Sequence, residues 1–160
     1  MSTGKINIRD ATKDDLVTIV SMLADDPLGQ SRESAEEPLG KKYLDAFDAI
    51  DEDVNQVLAV VEIDNVIAGC LQLSFIPGLS RSGMWRAQIE SVRIGKGFRD
   101  KGLGQIMIEW AIVEAKKRDC GLVQLTSDIQ RPQAIQFYEK LGFVNSHAGM
   151  KLGLGKRLSY

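Results

Sequence analysis

Two strand-like segments joined by a tight turn constrain the fold of this chain more than any other feature of its sequence. Residues 56–64 (QVLAVVEID) and 66–76 (VIAGCLQLSFI) consist mainly of β-branched and other aliphatic residues. They meet at Asp64-Asn65, a pair of residues that readily adopts the positive φ angles of a two-residue hairpin turn. Strands connected by so short a turn pair antiparallel, so the sequence predicts an antiparallel sheet at the centre of the fold.

Other segments predict further strands and helices on both sides of this hairpin. Thr12 stands three residues before Asp15, an N-cap signal that predicts a helix through Leu23. No repeat or linker interrupts the chain, and we therefore expect one domain over residues 1–160. The predicted fold class is α/β (α+β), a mixed, mostly antiparallel central sheet with helices on both faces. Strands are expected at 6–11, 84–94, 122–128 and as a closing pair within 143–154, and helices around 42–47, 102–119 and 131–142.

Composition excludes several classes of function. With 20 basic and 22 acidic residues the chain has a formal net charge of −2, which does not suit a nucleic-acid-binding surface. No apolar segment approaches the length of a membrane span, and the N-terminus lacks the apolar region of a signal peptide, so we expect a cytoplasmic protein. Cys70, Cys120 and the single histidine, His147, are isolated in the sequence, and no metal site is predicted.

The segment 97–110 (GFRDKGLGQIMIEW) carries the clearest functional signal. It is predicted to join a strand to a helix, where free backbone N–H groups and the helix dipole favour an anion. Gly102 and Gly104 allow a phosphate to approach the main chain. Arg99 and Lys101 add positive charge to the same turn. The pattern alone therefore leaves two interpretations equally open, a phosphate cradle and a solvated turn at the start of a helix.

Two familiar phosphate-binding motifs are excluded at this segment. A P-loop requires Lys and Ser/Thr at the positions that Leu103-Gly104 occupies here. A dinucleotide fingerprint requires a third glycine where this chain has Met107. If the turn binds phosphate, it does so as a member of another class.

The strand before this turn changes the parity of its apolar residues. They alternate cleanly with polar residues up to Ile89 and resume on the opposite parity at Val92. One inserted residue, a β-bulge near Glu90-Ser91 in the fourth strand, keeps both sets on the same face. A bulge frees N–H groups from the ladder and splays the neighbouring strands, so that a ligand can bond there like an added strand. The alternative is a strand that ends at Ile89.

Taken together, these motifs resemble those of the GNAT superfamily of acetyl-CoA-dependent N-acetyltransferases. The family's R/Q-x-x-G-x-G/A motif is similar to Arg99-x-x-Gly102-x-Gly104. Its second signature, an alanine followed by an aromatic-Tyr pair and Gly-Phe, resembles residues 134–143 (AIQFYEKLGF), and residues 8–16 (IRDATKDDL) resemble the family's opening. The resemblance extends over nearly the whole chain and implies both the GNAT fold and N-acetyltransferase activity.

The resemblance also implies where acetyl-CoA binds. In the family, backbone amides of the Arg/Gln-to-Gly turn hold the pyrophosphate, and the pantetheine arm lies between two splayed strands and bonds the first of them. The amide just after the bulge, that of Val92, is expected to bond the thioester carbonyl and stabilise the developing oxyanion. The residues implied to bind the coenzyme are Val92, Arg93, Ile94, Arg99, Asp100, Lys101, Gly102, Leu103, Gly104, Gln105, Arg131 and Phe137.

Two side chains are implied to act in catalysis. Tyr138, at the position of the family's tyrosine, is expected to protonate the departing thiolate, since an ordinary tyrosine pKa near ~10 keeps it protonated at neutral pH. Glu90, beside the bulge, is expected to take a proton from the acceptor ammonium, directly or through water. Gln88 on the same strand is an alternative that would orient a water, and His147 is a further candidate base. A ternary complex without a covalent acetyl-enzyme is usual in the family.

Arg131 departs from the family's pattern. Many members have an asparagine at this position, and its side chain helps to hold the pantetheine arm. Arg131 is long enough to reach coenzyme A or to cap the following helix, and the sequence leaves both contacts open.

The sequence constrains the acceptor less than the coenzyme. Residues 25–53 contain ten acidic and three basic residues, whereas residues 93–101 are rich in arginine and lysine. This separation favours a cationic small amine as acceptor, although a solvated acidic helix and loop is the simpler explanation. Acetylation of a protein or peptide amine, and a non-catalytic acetyl-CoA sensor, remain alternatives. Edge strands near the C-terminus permit a homodimer, which is common in the family.

Overall fold

A five-stranded sheet in the order β1-β2-β3-β4-β5 forms the centre of the computed structural model, which describes residues 4–155. The first four strands pair antiparallel with their neighbours, and only the pair of β4 and β5 is parallel. The predicted mixed, mostly antiparallel sheet is confirmed. The strands are β1 (Ile6–Asp10), β2 (Gln56–Ile63), β3 (Val66–Ile76), β4 (Arg86–Ile94) and β5 (Leu122–Leu125).

Helices cover both faces of this sheet, as predicted. Residues of α1 and α2 pack with Val60 and Cys70 on one face. Residues of α4 and α5 pack on the other face, against the larger core that contains Leu71, Leu73 and Ile89. The helices are α1 (Leu16–Ala24), α2 (Lys41–Glu52), the one-turn α3 (Ser80–Gly83), α4 (Leu103–Lys117) and α5 (Pro132–Lys140), with short 3-10 turns at Lys13–Asp15 and Lys96–Phe98.

The central hairpin turns where the sequence predicts. Asp64 and Asn65 both have positive φ angles, 50° and 66°. Two consecutive residues of this kind make a type I′ turn, whose twist matches that of the strands it joins. The N-terminal signal of the first helix is also present, because the Thr12 amide donates to Asp15 Oδ2 at 2.7 Å.

The predicted bulge in the fourth strand is confirmed. Ser91 and Val92 of β4 lie together opposite Leu71 of β3, because the register shifts by one residue between Cys70 and Gln72. Ser91 takes up the extra residue with a φ of 54°, in the left-handed region. The apolar residues before and after the bulge therefore face the same core.

Strands β4 and β5 part immediately before the bulge. Their parallel pairing runs from Arg86 opposite Leu122 to Ile89 opposite Leu125 and then stops. From Glu90 onward, β4 continues towards the turn before α4 without a partner on its β5 side among the described residues.

The predicted closing pair of strands is wrong. Residues 143–155 contain no strand. An alternating apolar pattern makes a strand only where an edge is available to pair with, and this segment makes no such pair with the described part of its own chain. The predicted strand over 122–128 is likewise shorter, because Thr126 and the residues after it leave the sheet.

Candidate active site

The turn between β4 and α4 places its glycine where the backbone requires one. Asp100 and Gly102 have φ angles of 62° and 77°, and Gly102 is the N-cap of α4. A methyl group on Gly102 would meet no atom within 4 Å, so the backbone there faces open space. The first turn of α4 thus presents its free N–H groups towards an accessible surface, as an anion site requires.

Basic side chains line the same turn. The Arg99 guanidinium donates to Ile94 O at 3.2 Å and to Asp25 Oδ2 at 3.2 Å. The Lys101 ammonium donates to Gly97 O at 3.2 Å and is largely exposed. Both cations lie beside the start of α4, where they add to the positive end of the helix dipole.

The remaining side chains of this segment serve the fold. Leu103 is buried in the main core, and the Gln105 amide donates to Glu109 Oε1 one turn along α4. Val92 and Ile94 pack their side chains against the same core. These residues of the predicted coenzyme site therefore offer their backbone groups rather than their side chains.

Two aromatic residues of α5 approach this region. A methyl group on Gly104 would lie 3.5 Å from Phe137 Cζ, so the Phe137 ring sits against the first turn of α4. The Tyr138 ring packs edge-on to Phe137 and to Phe143, with centroids 5.1 Å and 5.8 Å apart. Burial raises the pKa of Tyr138 above its ordinary value, against the opposing charges of Arg93 and Arg131. The phenol is thus a neutral donor at physiological pH.

A buried carboxylate connects two of the predicted coenzyme-binding arginines. Asp26 contacts the guanidinium of Arg131, the N-cap residue of α5, and its Oδ2 lies 3.1 Å from Arg93 Nη2. Burial alone would raise the pKa of Asp26, but the Arg131 contact, the Leu28 amide and the charges of both arginines hold that pKa below its ordinary value. The loop after α1 is therefore tied to β4 and α5.

The Arg93 guanidinium has a hydrogen-bond donor that is left without a partner. Arg93 also donates to the carbonyl of Val92 at 2.8 Å, yet its buried Nε has no hydrogen-bond partner within residues 4–155. Asp26 Oδ2 is close enough to Arg93 for an ion pair, but the two groups are not aligned for a hydrogen bond.

Glu90 and Gln88 lie on the sheet face that α1 and α2 cover. Glu90 pairs in register with Gln72 of β3, is exposed, and its carboxylate makes no hydrogen bond or ion pair with the described residues. The Gln88 side chain is already engaged, because its Oε1 accepts from Gln124 Nε2 at 2.7 Å. Gln88 Oε1 is thus not free to orient a water, and Glu90 is the group here that can accept a proton.

A cavity of about 110 Å³ opens on the same face, between α1, α2 and the sheet. Its lining is mostly apolar, and its polar groups come from Tyr43, Gln72 and Ser91. Since Gln72 pairs with Glu90 and Ser91 forms the bulge, this cavity borders the point where β4 bends. Its apolar lining residues are Leu16, Ile19, Val20, Leu23, Ala46, Phe47, Ile50, Leu58 and Cys70.

The other candidate side chains lie outside this arrangement. Burial raises the pKa of the Cys70 thiol to about 12, so it remains protonated. His147 is exposed beyond α5, where Nδ1 contacts Ser146 Oγ at 2.7 Å. Within residues 4–155 no group of His, Cys, Asp and Glu is arranged to hold a metal ion. No helix of that part of the chain is long and apolar enough to cross a membrane.

Sequence reasoning missed Asp26 and Tyr43. Both belong to the segment 25–53, whose sequence predicts a helix around 42–47 and an excess of negative charge but no individual site residue. The signal for Asp26 was Arg131 itself, because an arginine in place of a neutral asparagine requires a carboxylate nearby once it is partly buried. Nothing in the sequence indicates that this carboxylate lies more than 100 residues away.

The chain is similar to known acetyltransferases. The family model described as "Acetyltransferase (GNAT) family" matches residues 20–143. An uncharacterized N-acetyltransferase of Methanocaldococcus jannaschii is 39% identical over 57 residues, which cover 36% of this chain and only 25% of that protein.

Solved structures share the whole fold. A protein of Bacillus halodurans C-125 described as a transcriptional regulator is 47% identical, with a TM-score of 0.91 over 94% of this chain and 100% of that one. An acetyltransferase of Clostridium acetobutylicum, described as predicted and solved with acetyl-CoA, is 21% identical, with a TM-score of 0.71 over 93% and 96%. Since the family model matches well over half of its residues, the chain belongs to the acetyltransferase (GNAT) family.

Proposed function

We propose that this protein transfers the acetyl group of acetyl-CoA to the primary amine of a small molecule, by direct attack in a ternary complex. The observation that carries the proposal is the course of β4. It leaves β5 after Ile89, bulges at Ser91 and leads into the Gly102 turn at the start of α4. An open strand edge and an anion site thus follow each other along one segment of chain.

The residues present fit coenzyme A. Backbone amides from Arg99 to Gln105 would hold the pyrophosphate, assisted by the Arg99 and Lys101 side chains. The edge from Val92 to Ile94 would bond the pantetheine arm, and Phe137 would border it. Arg93 and Arg131 would supply further positive charge, partly neutralised by Asp26.

Acetyl-CoA supplies the activated thioester, and three groups of this chain serve its reaction. The Val92 amide would donate to the carbonyl oxygen on which negative charge develops. Tyr138 would donate its phenolic proton to the departing sulfur, and its raised pKa keeps that proton in place. Glu90 would remove a proton from the attacking amine, since its carboxylate is free beside the bulge.

Direct transfer is supported by the state of the thiols. Cys70 lies beside the bulge but is buried and protonated, with a pKa of about 12. A thiol of this kind is a poor nucleophile, so an acetylated cysteine has no favourable route of formation. The amine therefore attacks the thioester without an acetyl-enzyme.

The acceptor we propose is an amine that carries an apolar group. The cavity beside the bulge is lined mainly by side chains of α1 and α2, with Tyr43 at its polar side. Several acidic residues of the segment 25–53 are paired with cations, among them Asp45 with Lys41. The remaining negative charge would attract the ammonium form of the acceptor, and the cavity would select its hydrocarbon portion.

The proposed chemistry is tested by measuring free-thiol release from acetyl-CoA across amines, amino acids, aminoglycosides and peptides. Tyr138→Phe is expected to lower kcat about 100-fold or more, the range of a lost general acid, and to change the KM for acetyl-CoA little. Glu90→Gln is expected to lower kcat most at low pH, where unprotonated amine is scarce. Full kcat in Tyr138→Phe would overturn the assignment of the acid, and parallel lines in initial-rate plots would overturn the ternary complex.

The acceptor cavity is tested with two alanines of the same helix. Ala46 lines the cavity, whereas Ala49 is also exposed on α2 but does not. Ala46→Leu is expected to raise the KM for the amine about tenfold, equivalent to roughly 1.4 kcal/mol of crowding, and to leave the KM for acetyl-CoA unchanged. Ala49→Leu should change neither constant. Equal effects of both variants would place the acceptor elsewhere.

A second candidate function is supported by one comparison. The Bacillus halodurans protein, 47% identical, is described as a transcriptional regulator. If this chain shares that role, it would be a regulator, and one that binds acetyl-CoA without turnover is the second candidate. Tight acetyl-CoA binding with no thiol release from any amine or peptide would support this candidate over the enzyme.

A further inference from the structure

Two glutamines are bonded to each other across the last strand pair, and the function proposed above gives this pair no role. Gln88 of β4 and Gln124 of β5 are register partners, and Gln124 Nε2 donates to Gln88 Oε1 at 2.7 Å. Both side chains are partly buried, and neither makes another hydrogen bond with the described residues. The amide pair lies on the sheet face that carries Glu90, just before β4 and β5 part.

Each amide of the pair holds the other in place and keeps one polar group free. A carboxamide has one carbonyl oxygen and one NH2 group. The bond between the two side chains leaves the Gln124 oxygen as a free acceptor and the Gln88 NH2 group as a free donor. Both free groups reach solvent, since neither is a buried atom without a partner. The amide pair thus offers a fixed donor and a fixed acceptor, without charge, to a molecule on this face.

Charged side chains stand on either side of the amide pair along β4. Glu90 lies two residues after Gln88 on the same face, roughly 7 Å along the strand, and its carboxylate is free. Arg86 lies two residues before Gln88, and its Nη1 would be 3.5 Å from a methyl group on Gly78 in the loop after β3. The amide pair is therefore the group that follows Glu90 along the strand, and the guanidinium lies at the far end.

We propose that the amide pair determines the specificity for the acceptor, by binding a carboxamide on the carbon next to the acceptor's amine. The inference rests on the acetyl transfer proposed above and names the class of its substrate, an α-amino amide with an apolar side group. The amine lies at Glu90, and the side group enters the cavity that Gln72 and Ser91 border. An amine and an amide on neighbouring carbons, with a hydrogen bond of about 3 Å at each end, bridge the separation of Glu90 and Gln88.

The same arrangement disfavours charged relatives of this substrate. A free amino acid would place its carboxylate beside that of Glu90, and Arg86 lies roughly 13 Å away along the strand, too far to compensate. A diamine would bring a second ammonium, which has donors only and can use just one of the two free groups of the amide pair. A carboxamide both donates and accepts, so it satisfies the two groups together.

Three amines with the same branched hydrocarbon group test the amide pair. Leucinamide, leucine and isopentylamine carry a carboxamide, a carboxylate and a hydrogen atom beside the amine. At saturating acetyl-CoA, kcat/KM is expected to be highest for leucinamide. In Gln88→Met and in Gln124→Met, the ratio of kcat/KM for leucinamide to that for isopentylamine is expected to fall about tenfold, the effect of lost hydrogen bonds at a partly buried site.

The comparison has its own controls. Each ratio is taken at one pH, so the different basicities of the two amines cancel between the parent and a variant. Gln133→Met, at an exposed position of α5, should leave the ratio unchanged. A parent that acetylates amines but prefers leucine or isopentylamine, or a ratio that neither glutamine variant lowers, overturns the proposal and leaves the acetyl transfer standing.

A short peptide distinguishes two sources of the same chemistry. A higher kcat/KM for Leu-Gly-Gly amide than for leucinamide would identify the N-terminus of a peptide as the source, and a lower value would identify a small molecule. Either order supports binding of the carboxamide by the amide pair, provided that both values fall in the glutamine variants. A fall for neither compound overturns it.

Binding without turnover is measured separately, so that a failure of the transfer is not mistaken for a failure of the amide pair. Isotope-labelled protein saturated with coenzyme A is titrated with leucinamide, and the side-chain NH2 signals of Gln88 and Gln124 are assigned from the two methionine variants. Leucinamide is expected to shift both signals, and isopentylamine to shift them less. Signals that stay in place with leucinamide overturn the proposal, whether or not any amine is acetylated.

Discussion

Asp26 is the residue that joins the segment after α1 to the elements of the proposed coenzyme site. It follows α1 and is buried, and its partners Arg93 and Arg131 belong to β4 and to the start of α5. A buried carboxylate between two guanidinium groups stabilises the fold through the specificity of its geometry more than through net attraction. Its removal leaves two cations without their shared counter-charge.

Asp26→Asn is therefore expected to lower the free energy of unfolding by about 1–2 kcal/mol at pH 7, less than a fully buried charged pair because Arg131 is partly exposed. The pKa of Asp26 is held low, so its contribution is present above the ordinary aspartate pKa and is lost as the pH falls through the folded value. Denaturant unfolding at pH 7 and pH 3 measures both effects.

The neighbouring aspartate is a matched control. Asp25 pairs with Arg99, but both side chains are about half exposed, at 48% and 47%. Asp25→Asn should change the free energy of unfolding by less than about 0.5 kcal/mol, as exposed ion pairs do. Equal free energies of unfolding for the two variants would mean that the buried ion pairs of Asp26 stabilise the fold no more than the exposed pair of Asp25.

At the scale of single elements, the backbone of the turn before α4 requires glycine at one position only, Gly102, of the two glycines compared here. Gly102 has a φ of 77°, and an alanine there would carry a cost of about 1 kcal/mol. Gly97 in the same loop also has open space around it but lies outside the left-handed region. Alanine substitutions at the two positions therefore separate the effect of backbone conformation from the effect of added side-chain volume.

Gly102→Ala is expected to raise the KM for acetyl-CoA about five- to tenfold, because relief of the strain displaces the amides of the turn, while Gly97→Ala changes it less than about twofold. Initial rates at saturating amine measure the difference. The same KM for both variants would mean that the turn does not hold the coenzyme.

Elements specified by local signals were predicted correctly. The hairpin at Asp64-Asn65 and the bulge at Ser91 follow from turn chemistry and from the parity of neighbouring residues. The closing pair of strands expected within residues 143–154 does not form, although Met150 and Leu152 stand at alternate positions there. Alternation specifies which side chains share a face, but a strand also needs an edge to pair with, and no local signal reports that edge.

For the molecule as a whole, the turn and the bulge of the proposed coenzyme site were predictable, whereas the cavity proposed for the acceptor was not. The turn at Gly102 and the strand before it are close together in the sequence, so their motifs can be recognised together. The cavity proposed for the acceptor is lined by residues of α1, α2, β2, β3 and the bulge. These residues are far apart in the chain, so no spacing in a single sequence shows that they lie together. The same separation hides the contact between Asp26 and Arg131.

The stability of the whole molecule is expected to decline in acid. The Arg9 guanidinium bonds Asp15 and Glu62 and holds the pKa of each below its ordinary value. Depressed carboxylate pKa values stabilise the fold above the ordinary pKa of about 4, and this contribution is lost as the pH falls further. Arg9→Met should therefore be less stable than the parent at pH 7, and the difference should shrink towards pH 3.

An exposed ion pair provides the comparison for this test. Lys13 bonds Asp48 with both side chains about half exposed. Lys13→Met should differ little from the parent at either pH, because solvent already screens the pair. A constant deficit of Arg9→Met from pH 7 to pH 3 would assign the role of Arg9 to packing rather than to charge.

The bulge at Ser91 has a consequence for the gene as well as for the protein. Successive side chains of a strand alternate between the two faces of the sheet, and β4 has one extra residue between Ile89 and Val92. Loss of that one codon would restore regular alternation, with Val92 and Ile94 still facing the core but with no bulge in the strand. Substitutions at Ser91 alter one side chain and keep the extra residue, whereas its deletion would remove the bulge at the point where β4 leaves β5 on its way to the Gly102 turn.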